Sequence, residues 1–427
     1  MDVDLAILGG GPAGTVAAWL AARDGARVAL IDPDRTAAQF EGVSPRLLDW
    51  LARAGLGDAG AVGAIRAQRR SHWTGAGFEG NQEWIVDRAR LDGHLRQMVR
   101  AAGVEMLRDT GRPEAGGVLL SSGAWIAAGM VLDARGRRGS GQKRRRGPAT
   151  IAIGQSFRQI QPTPPMTVIE AIPQGWVWCA CPGNGLAWVQ FTTDAADPVG
   201  TPPAQRLQDA LAAAADRLPA LGAAQGDILL REAAPVLPAL LTDLSVIPIG
   251  DALAAMDPLS GHGMFWAVSS ALVATAIRRT LMHDPAAGDL ALRFLNQRAG
   301  ETYLRQARLG RDFIAAETRF ADRPFWAARR VFPDSLPLND GVNLPRIARR
   351  VVVDGNRLVK REVLLTRHSP GGVGWLSGQS AAALYRAHIG HATPSEMERR
   401  FGPVGRIFAG WLAAQMHGVP EPIMPSE

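Results

Sequence analysis

Apolar and polar positions change period several times along the chain, and each change marks an element. Leu5-Ala-Ile-Leu is a continuous apolar run, the pattern of a strand buried on both faces. It stops at glycines spaced G-x-G-x-x-G: Gly9, Gly11 and Gly14. Thr15 to Arg23 is rich in alanine and leucine and reads as a helix, and a second apolar run, 26–31, ends on Asp32. Residues 66–78 and 83–86 read as short strands. Past Val86-Asp-Arg88, apolar residues recur at helical spacing through Val99. Residues 131–133 are another strand end, and 150–194 read as antiparallel strands with turns. Val246-Ile-Pro-Ile ends at Gly250-Asp251, and a long helix follows through Arg278. Helical spacing resumes after Asp284 to about Thr318. A linker at 333–345 precedes two strands within 350–365 around Asp354-Gly355-Asn356, a hairpin signal, and then helices at 380–388 and 394–401. There is no internal repeat.

Strand, glycines, helix, strand and terminal acid in that order predict an α/β fold with a Rossmann-type dinucleotide site. Gly9 permits the tight turn, with Pro12 and Ala13 completing it. Gly11 lets a pyrophosphate approach the backbone, and Gly14 lets helix and strand pack closely. The helix N-terminus offers unpaired N–H groups and a positive dipole end to phosphates. Asp32 is placed to accept hydrogen bonds from an adenosine ribose. This fingerprint does not separate FAD from NAD.

The chain has 427 residues, 47% hydrophobic and 20% charged, which gives room for two or three domains and a sizeable core. No apolar run is long enough to span a membrane, and the fingerprint strand begins at once, so a cytoplasmic protein is expected. Cys179 and Cys181 alternate in a strand-like stretch and read as packing residues, with no metal-ligand cluster near them. The net charge is +7, carried almost wholly by arginine, since Lys143 and Lys360 are the only lysines. No nucleic-acid motif accompanies it. The arginine-rich stretch from Arg135 to Arg146 reads as a mobile, solvated loop that suits an acidic partner surface.

Six further stretches carry a resemblance. They are Glu41-Gly-Val-Ser-Pro-Arg46; Val86-Asp-Arg88 with Leu91-Asp92; Asp133-Ala-Arg-Gly136; Gly175-Trp176-Val-Trp178 ahead of Pro182; Gly250-Asp251 with Asp257-Pro258-Leu-Ser-Gly261-His262-Gly263-Met264; and Arg319-Phe with Phe325-Trp326. Together they resemble the FAD-dependent monooxygenases of the aromatic hydroxylase and tryptophan halogenase superfamily. In character they are most similar to flavoproteins that hydroxylate a tryptophan side chain of another protein during tryptophylquinone maturation. The resemblance implies FAD as the cofactor, NAD(P)H or a separate flavin reductase as electron donor, and molecular oxygen as co-substrate. It also implies hydroxylation of an indole-sized ring through a C4a-hydroperoxyflavin.

The same resemblance assigns residues. Arg46 and Arg88 would support the cofactor, with Asp92 tying its helix to the surroundings. Asp251 would bind the ribityl chain. The turn of Pro258, Gly261, Gly263 and Met264 would bring backbone N–H groups and a helix N-terminus to the flavin pyrimidine end, where reduced flavin is negative. Candidate catalytic residues are Glu41, Trp176, Trp178 and His262. The tryptophans share one strand face and read equally as pocket wall or core; His262 reads equally as an acid/base group or a turn histidine. Asp-Ala-Arg-Gly in place of Asp-Gly argues against tight NADPH binding.

The expected domains are an FAD-binding domain (1–70, 84–150 and 240–285), a β-rich substrate domain of antiparallel sheet (71–83 and 151–239), a helical segment (286–333) and a small C-terminal module (346–427), winged-helix-like. Four functions remain open: a monooxygenase acting on a polypeptide or on a small aromatic molecule, a prenyl reductase, a halogenase, and a flavin-binding partner protein. The halogenase reading lacks its lysine in the first third of the chain.

Overall fold

The computed structural model describes residues 1–34, 39–139, 144–196, 200–338 and 344–416. Lys143 and the C-terminal end of the expected module, 417–427, lie outside them, as do parts of the 33–40 loop and the 333–345 linker. Two sheets dominate. The first has seven strands and a parallel centre, in the order Glu105–Leu107, Val28–Ile31, Asp2–Leu8, Trp125–Asp133, with Val246–Pro248 pairing parallel to Trp125–Asp133. Leu5, Ile7 and Leu30 are fully buried here, which is why these strands read as unbroken apolar runs. Each such side chain contributes about 1.5–3 kcal/mol by leaving water. The Pro12–Arg23 helix follows the first strand directly.

The second sheet has eight strands, in the order Leu221–Glu232, Thr150–Gln159, Leu186–Asp194, Gly175–Cys181, Met166–Ile172, Ala64–Trp73, Ala76–Asp87, Phe40–Val43. All neighbours are antiparallel except Met166–Ile172 against Ala64–Trp73. The stretches read as short strands near 66–86 thus form one long hairpin. Its strands, together with Phe40–Val43, belong to this sheet, although residues up to 70 were expected with the first domain. They are recruited by pairing with Met166–Ile172, a partner about a hundred residues away that local periodicity does not reveal.

Alternation along Gly175–Cys181 divides two cores. Val177, Cys179 and Cys181 pack against Leu207 and Ala210 of the Pro203–Ala213 helix. Trp176 and Trp178 face the other way. The two thiols are free, with Sγ atoms 3.9 Å apart.

By compactness the chain divides into two units. One holds both sheets and residues 302–334. The other holds 276–301, 335–338 and 344–416, so it combines the tip of a helical hairpin with the described part of the C-terminal module. Within it the ribbon Arg346–Asp354 and Arg357–Leu365 precedes the helices Ala381–Ile389, Pro394–Phe401 and Pro403–Met416, around Leu364, Leu384 and Phe408. Among the described residues, no helix is long and apolar enough to cross a membrane.

Candidate flavin and substrate site

The glycine turn is set by backbone sterics. Gly9 has φ +107°, and a Cβ there would strike the Ala134 carbonyl oxygen; one on Gly14 would strike the Gly9 carbonyl oxygen. Gly11 is different. Its backbone is extended, φ −78° and ψ −176°, and a Cβ would meet nothing within 4 Å. The Pro12–Arg23 helix starts here with no side chain capping its first amides. Asp32 closes the turn by accepting from the Gly10 amide at 2.6 Å. Arg96 holds it from behind, Nη2 to Oδ1 at 3.1 Å, while its other arm reaches Asp34.

Arg88 sits between two carboxylates. It donates to Glu41 at 2.6 Å and to Asp92 at 3.0 Å. Burial works against its charge, yet Glu41 and then Asp92 hold its pKa above the ordinary value. Asp92 therefore pairs with an arginine on its own Arg88–Ala101 helix rather than with the surroundings, because four residues make one helical turn. Glu41 and Arg88 both act electrostatically on Asp251, so three sequence-derived candidates fall in one neighbourhood. Arg46 is exposed on the first turn of the Pro45–Arg53 helix and bonds to none of them.

The Gly-Asp turn is the most elaborately held part of the site. Gly250 has φ +59°; its amide donates to Ser270 Oγ at 2.8 Å, and its carbonyl accepts from Trp266 Nε1 at 3.1 Å. Burial raises the Asp251 pKa, and Arg137, with Nε 3.6 Å from Oδ2, opposes that. Arg144 donates to the carbonyls of Asp251, Ala252, Arg137 and Gly139 at 2.8–3.1 Å. The arginine-rich loop is expected to be solvated, and among its described arginines Arg138, Arg145 and Arg146 are exposed. In the described part of that loop, Arg137 and Arg144 turn inward, because the irregular turn leaves carbonyls that need donors. Arg135 likewise closes on Asp133 at 2.8 Å.

After Gly250-Asp251 comes the second turn. Asp257 caps it by accepting from the Leu259 amide at 2.9 Å, and burial raises its pKa. Gly261 has φ +62°, and neither it nor Gly263 has a neighbour within 4 Å of a Cβ position. The Gly263–His283 helix begins there, with Met264 buried. His262 Nδ1 contacts the Ser260 carbonyl oxygen, and burial lowers the pKa of the ring.

Leu259 leads into an aromatic cluster. Trp176 is 3% exposed and Trp326 fully buried; with Trp73, Trp178, Phe320 and Phe325 they fill one face of the second sheet. Trp73 meets Trp326 edge-on at 5.3 Å, and Trp326 Nε1 donates to the Ile172 carbonyl at 3.0 Å. Of the two tryptophan readings, Trp176 is packed core, while Trp178 is half-buried at the edge. Free space lies beside the cluster. A small cavity of about 20 Å³, room for roughly one water molecule, is lined by Pro148, Pro235, Asp257, Ile314, Arg329 and Phe332 among others. Arg137, Arg144 and the Trp73–Trp326 pair escaped the sequence reading. The Phe325-Trp326 motif was the one signal of the last.

The residues fit the expected FAD. The turn at Gly11, the uncapped helix start and the Gly261–Gly263 turn leave the backbone bare where a Cβ would fill the cradle. Asp251 supplies an acceptor for hydroxyls. Among the described residues, no group of three or more metal-ligating side chains is found.

The NAD(P)-binding Rossmann-like domain family matches residues 7–38. No curated protein sequence matches the chain significantly. Among solved structures, the peptidyl tryptophan dihydroxylase QhpG, essential for tryptophylquinone cofactor biogenesis, is 31% identical with TM-score 0.77, covering 98% of this chain and 100% of its own. The flavin-dependent halogenase CmlS is 17% identical with TM-score 0.78, over 97% and 94%. A probable FAD-dependent monooxygenase from Pseudomonas aeruginosa, pqsL, is 18% identical with TM-score 0.57, over 77% of this chain and 100% of its own.

Proposed function

The chain belongs to the flavin-dependent hydroxylase and halogenase family that includes peptidyl tryptophan dihydroxylase QhpG, and we propose that it hydroxylates the indole ring of a tryptophan held in a partner polypeptide. The observation that carries this reading is the 31% identity to that dihydroxylase over 98% of this chain and the whole of the other. Bound FAD, reduced by NAD(P)H or a separate reductase, supplies the activation of molecular oxygen.

The chain's own residues bind, orient and move protons. The Gly11 turn and the Pro12–Arg23 helix start hold the diphosphate, and Asp251 holds the ribityl hydroxyls. The Gly261–Met264 turn flanks the ring system. The Ser260 carbonyl oxygen can only accept, so His262 Nδ1 carries the hydrogen and Nε2 is a base. Its lowered pKa keeps that base free at neutral pH.

The polypeptide partner also has a feature to meet. Residues 344–416 carry eleven Arg and Lys against four Asp and Glu, a net +7 equal to that of the whole chain. This module offers a basic surface for an acidic partner, as do the exposed Arg138, Arg145 and Arg146.

The test is incubation of the FAD-loaded protein with an acidic tryptophan-containing polypeptide, oxygen and NADH, with and without a flavin reductase. A mass gain of one or two oxygen atoms on a tryptophan residue is expected. Faster hydroxylation of free tryptophan, or halogen incorporation when chloride or bromide is supplied, would overturn the reading.

A further inference from the structure

From the sequence alone Arg144 reads as a surface residue of the arginine-rich loop. We propose that Arg144 is a positioning residue of the flavin site, locking the 250–252 turn into the form that receives the ribityl chain. The inference rests on the FAD reading above.

One guanidinium serves four carbonyls. Nη1 donates to the oxygens of Asp251 at 2.8 Å and Ala252 at 2.9 Å; Nη2 donates to those of Arg137 at 2.9 Å and Gly139 at 3.1 Å. The first pair belongs to the Gly-Asp turn and the second to the segment that follows Asp133. Arg144 therefore staples two chain segments that are about a hundred residues apart in sequence. A planar fork with five fixed donors suits this task; an ammonium, a point with three rotating donors, does not.

The two segments also fit sterically. A Cβ on Gly139 would lie 2.6 Å from both Ala252 Cβ and Asp133 Oδ1, so only glycine allows the approach that Arg144 fastens. Asp133 ends the strand next to the glycine-turn strand, and a Cβ on Gly9 would strike the Ala134 carbonyl. Gly250 faces Ala13 of the Pro12–Arg23 helix, with a Cβ position 3.0 Å from Ala13 Cβ. Arg144 thus closes a ring of backbone segments, 9–14, 133–139 and 250–252, around the place where the diphosphate and ribityl chain would lie. Arg137 is brought to Asp251 by the same staple and opposes the burial that would neutralise it. An ionised Asp251 is the stronger acceptor for ribityl hydroxyls.

The test is FAD affinity of the apoprotein, measured by quenching of flavin fluorescence. Arg144→Ala should bind FAD at least 30-fold more weakly than the parent, with an apoprotein melting temperature within a few degrees of it. Arg144→Lys should recover only a small part of the loss, and Gly139→Val should reproduce it. Binding by Arg144→Ala within threefold of the parent would overturn the inference. Should the variants not fold, hydrogen exchange of the parent decides: amides of 136–139 and 250–254 should gain protection together on FAD binding, and protection of 250–254 alone would overturn it. A parent protein that binds no FAD refutes the functional reading instead, so the two failures are distinguishable.

Discussion

At Gly11 a side chain would meet no protein atom, whereas at Gly9 and Gly14 it would drive into backbone carbonyl oxygens. Substitution should separate the two kinds of need. Gly11→Val should give an apoprotein that melts within a few degrees of the parent and retains no FAD on gel filtration, while Gly14→Val should not fold. A Gly11→Val protein that is yellow would remove the diphosphate from this turn. Asp251 allows a second test at the same scale. Asp251→Ala removes charge-assisted hydrogen bonds, and FAD binding should weaken by roughly 1.5–3 kcal/mol, about 10- to 150-fold; unchanged affinity would mean the ribityl chain lies elsewhere. These residues were legible in the sequence because backbone geometry and buried charge leave few alternatives at their positions. Arg137 and Arg144 were not, since an arginine that donates to solvent and one that donates to carbonyls look alike in a loop.

Strand alternation put Trp176 and Trp178 on one face without saying what covers it. The cover is the Pro324–Arg329 helix, whose Phe325 and Trp326 come from about 150 residues downstream. With that helix in place Trp176 is core, and Trp176→Ala should cost about 3–5 kcal/mol of stability in a urea titration. A variant of unchanged stability with a raised KM would return Trp176 to the pocket wall. The neighbouring Met166–Ile172 strand carries Glu170, which faces His72 at 3.5 Å and also feels Arg319, Arg217 and Glu317. Burial leads in pushing its pKa from 4.5 up to about 7. Between those values the folded chain binds more protons than the unfolded one. Stability is therefore full below pH 4.5 and falls as pH rises toward 7 and beyond. The urea midpoint of the parent should drop between pH 5 and pH 8 by more than that of Glu170→Gln. Equal drops would show that Glu170 is ionised throughout. Nothing in the sequence marked this carboxyl, because its burial comes from strands and loops distant along the chain.

The C-terminal module looked separable from sequence, and a cut after Pro345 would be the natural way to test its role in docking. The structure argues against that cut. Residues 276–301 belong to the same compact unit, and the Leu358 amide donates to Thr280 Oγ1 at 2.8 Å, so truncation would strip partners from the helical hairpin. Charge reversal leaves the core alone. Arg346, Arg357, Lys360 and Arg367 are exposed, and among the described residues none has an acidic ion-pair partner. Replacing all four by glutamate changes the charge of this surface by eight units without touching Leu364, Leu384 or Phe408. If the surface docks an acidic polypeptide, the variant should keep FAD affinity and kcat, while KM for the polypeptide rises at least tenfold. The parent's KM should also rise with salt, since the Debye length is about 8 Å at physiological ionic strength, and that dependence should largely vanish in the variant. Turnover and salt dependence unchanged from the parent would remove the module from substrate docking.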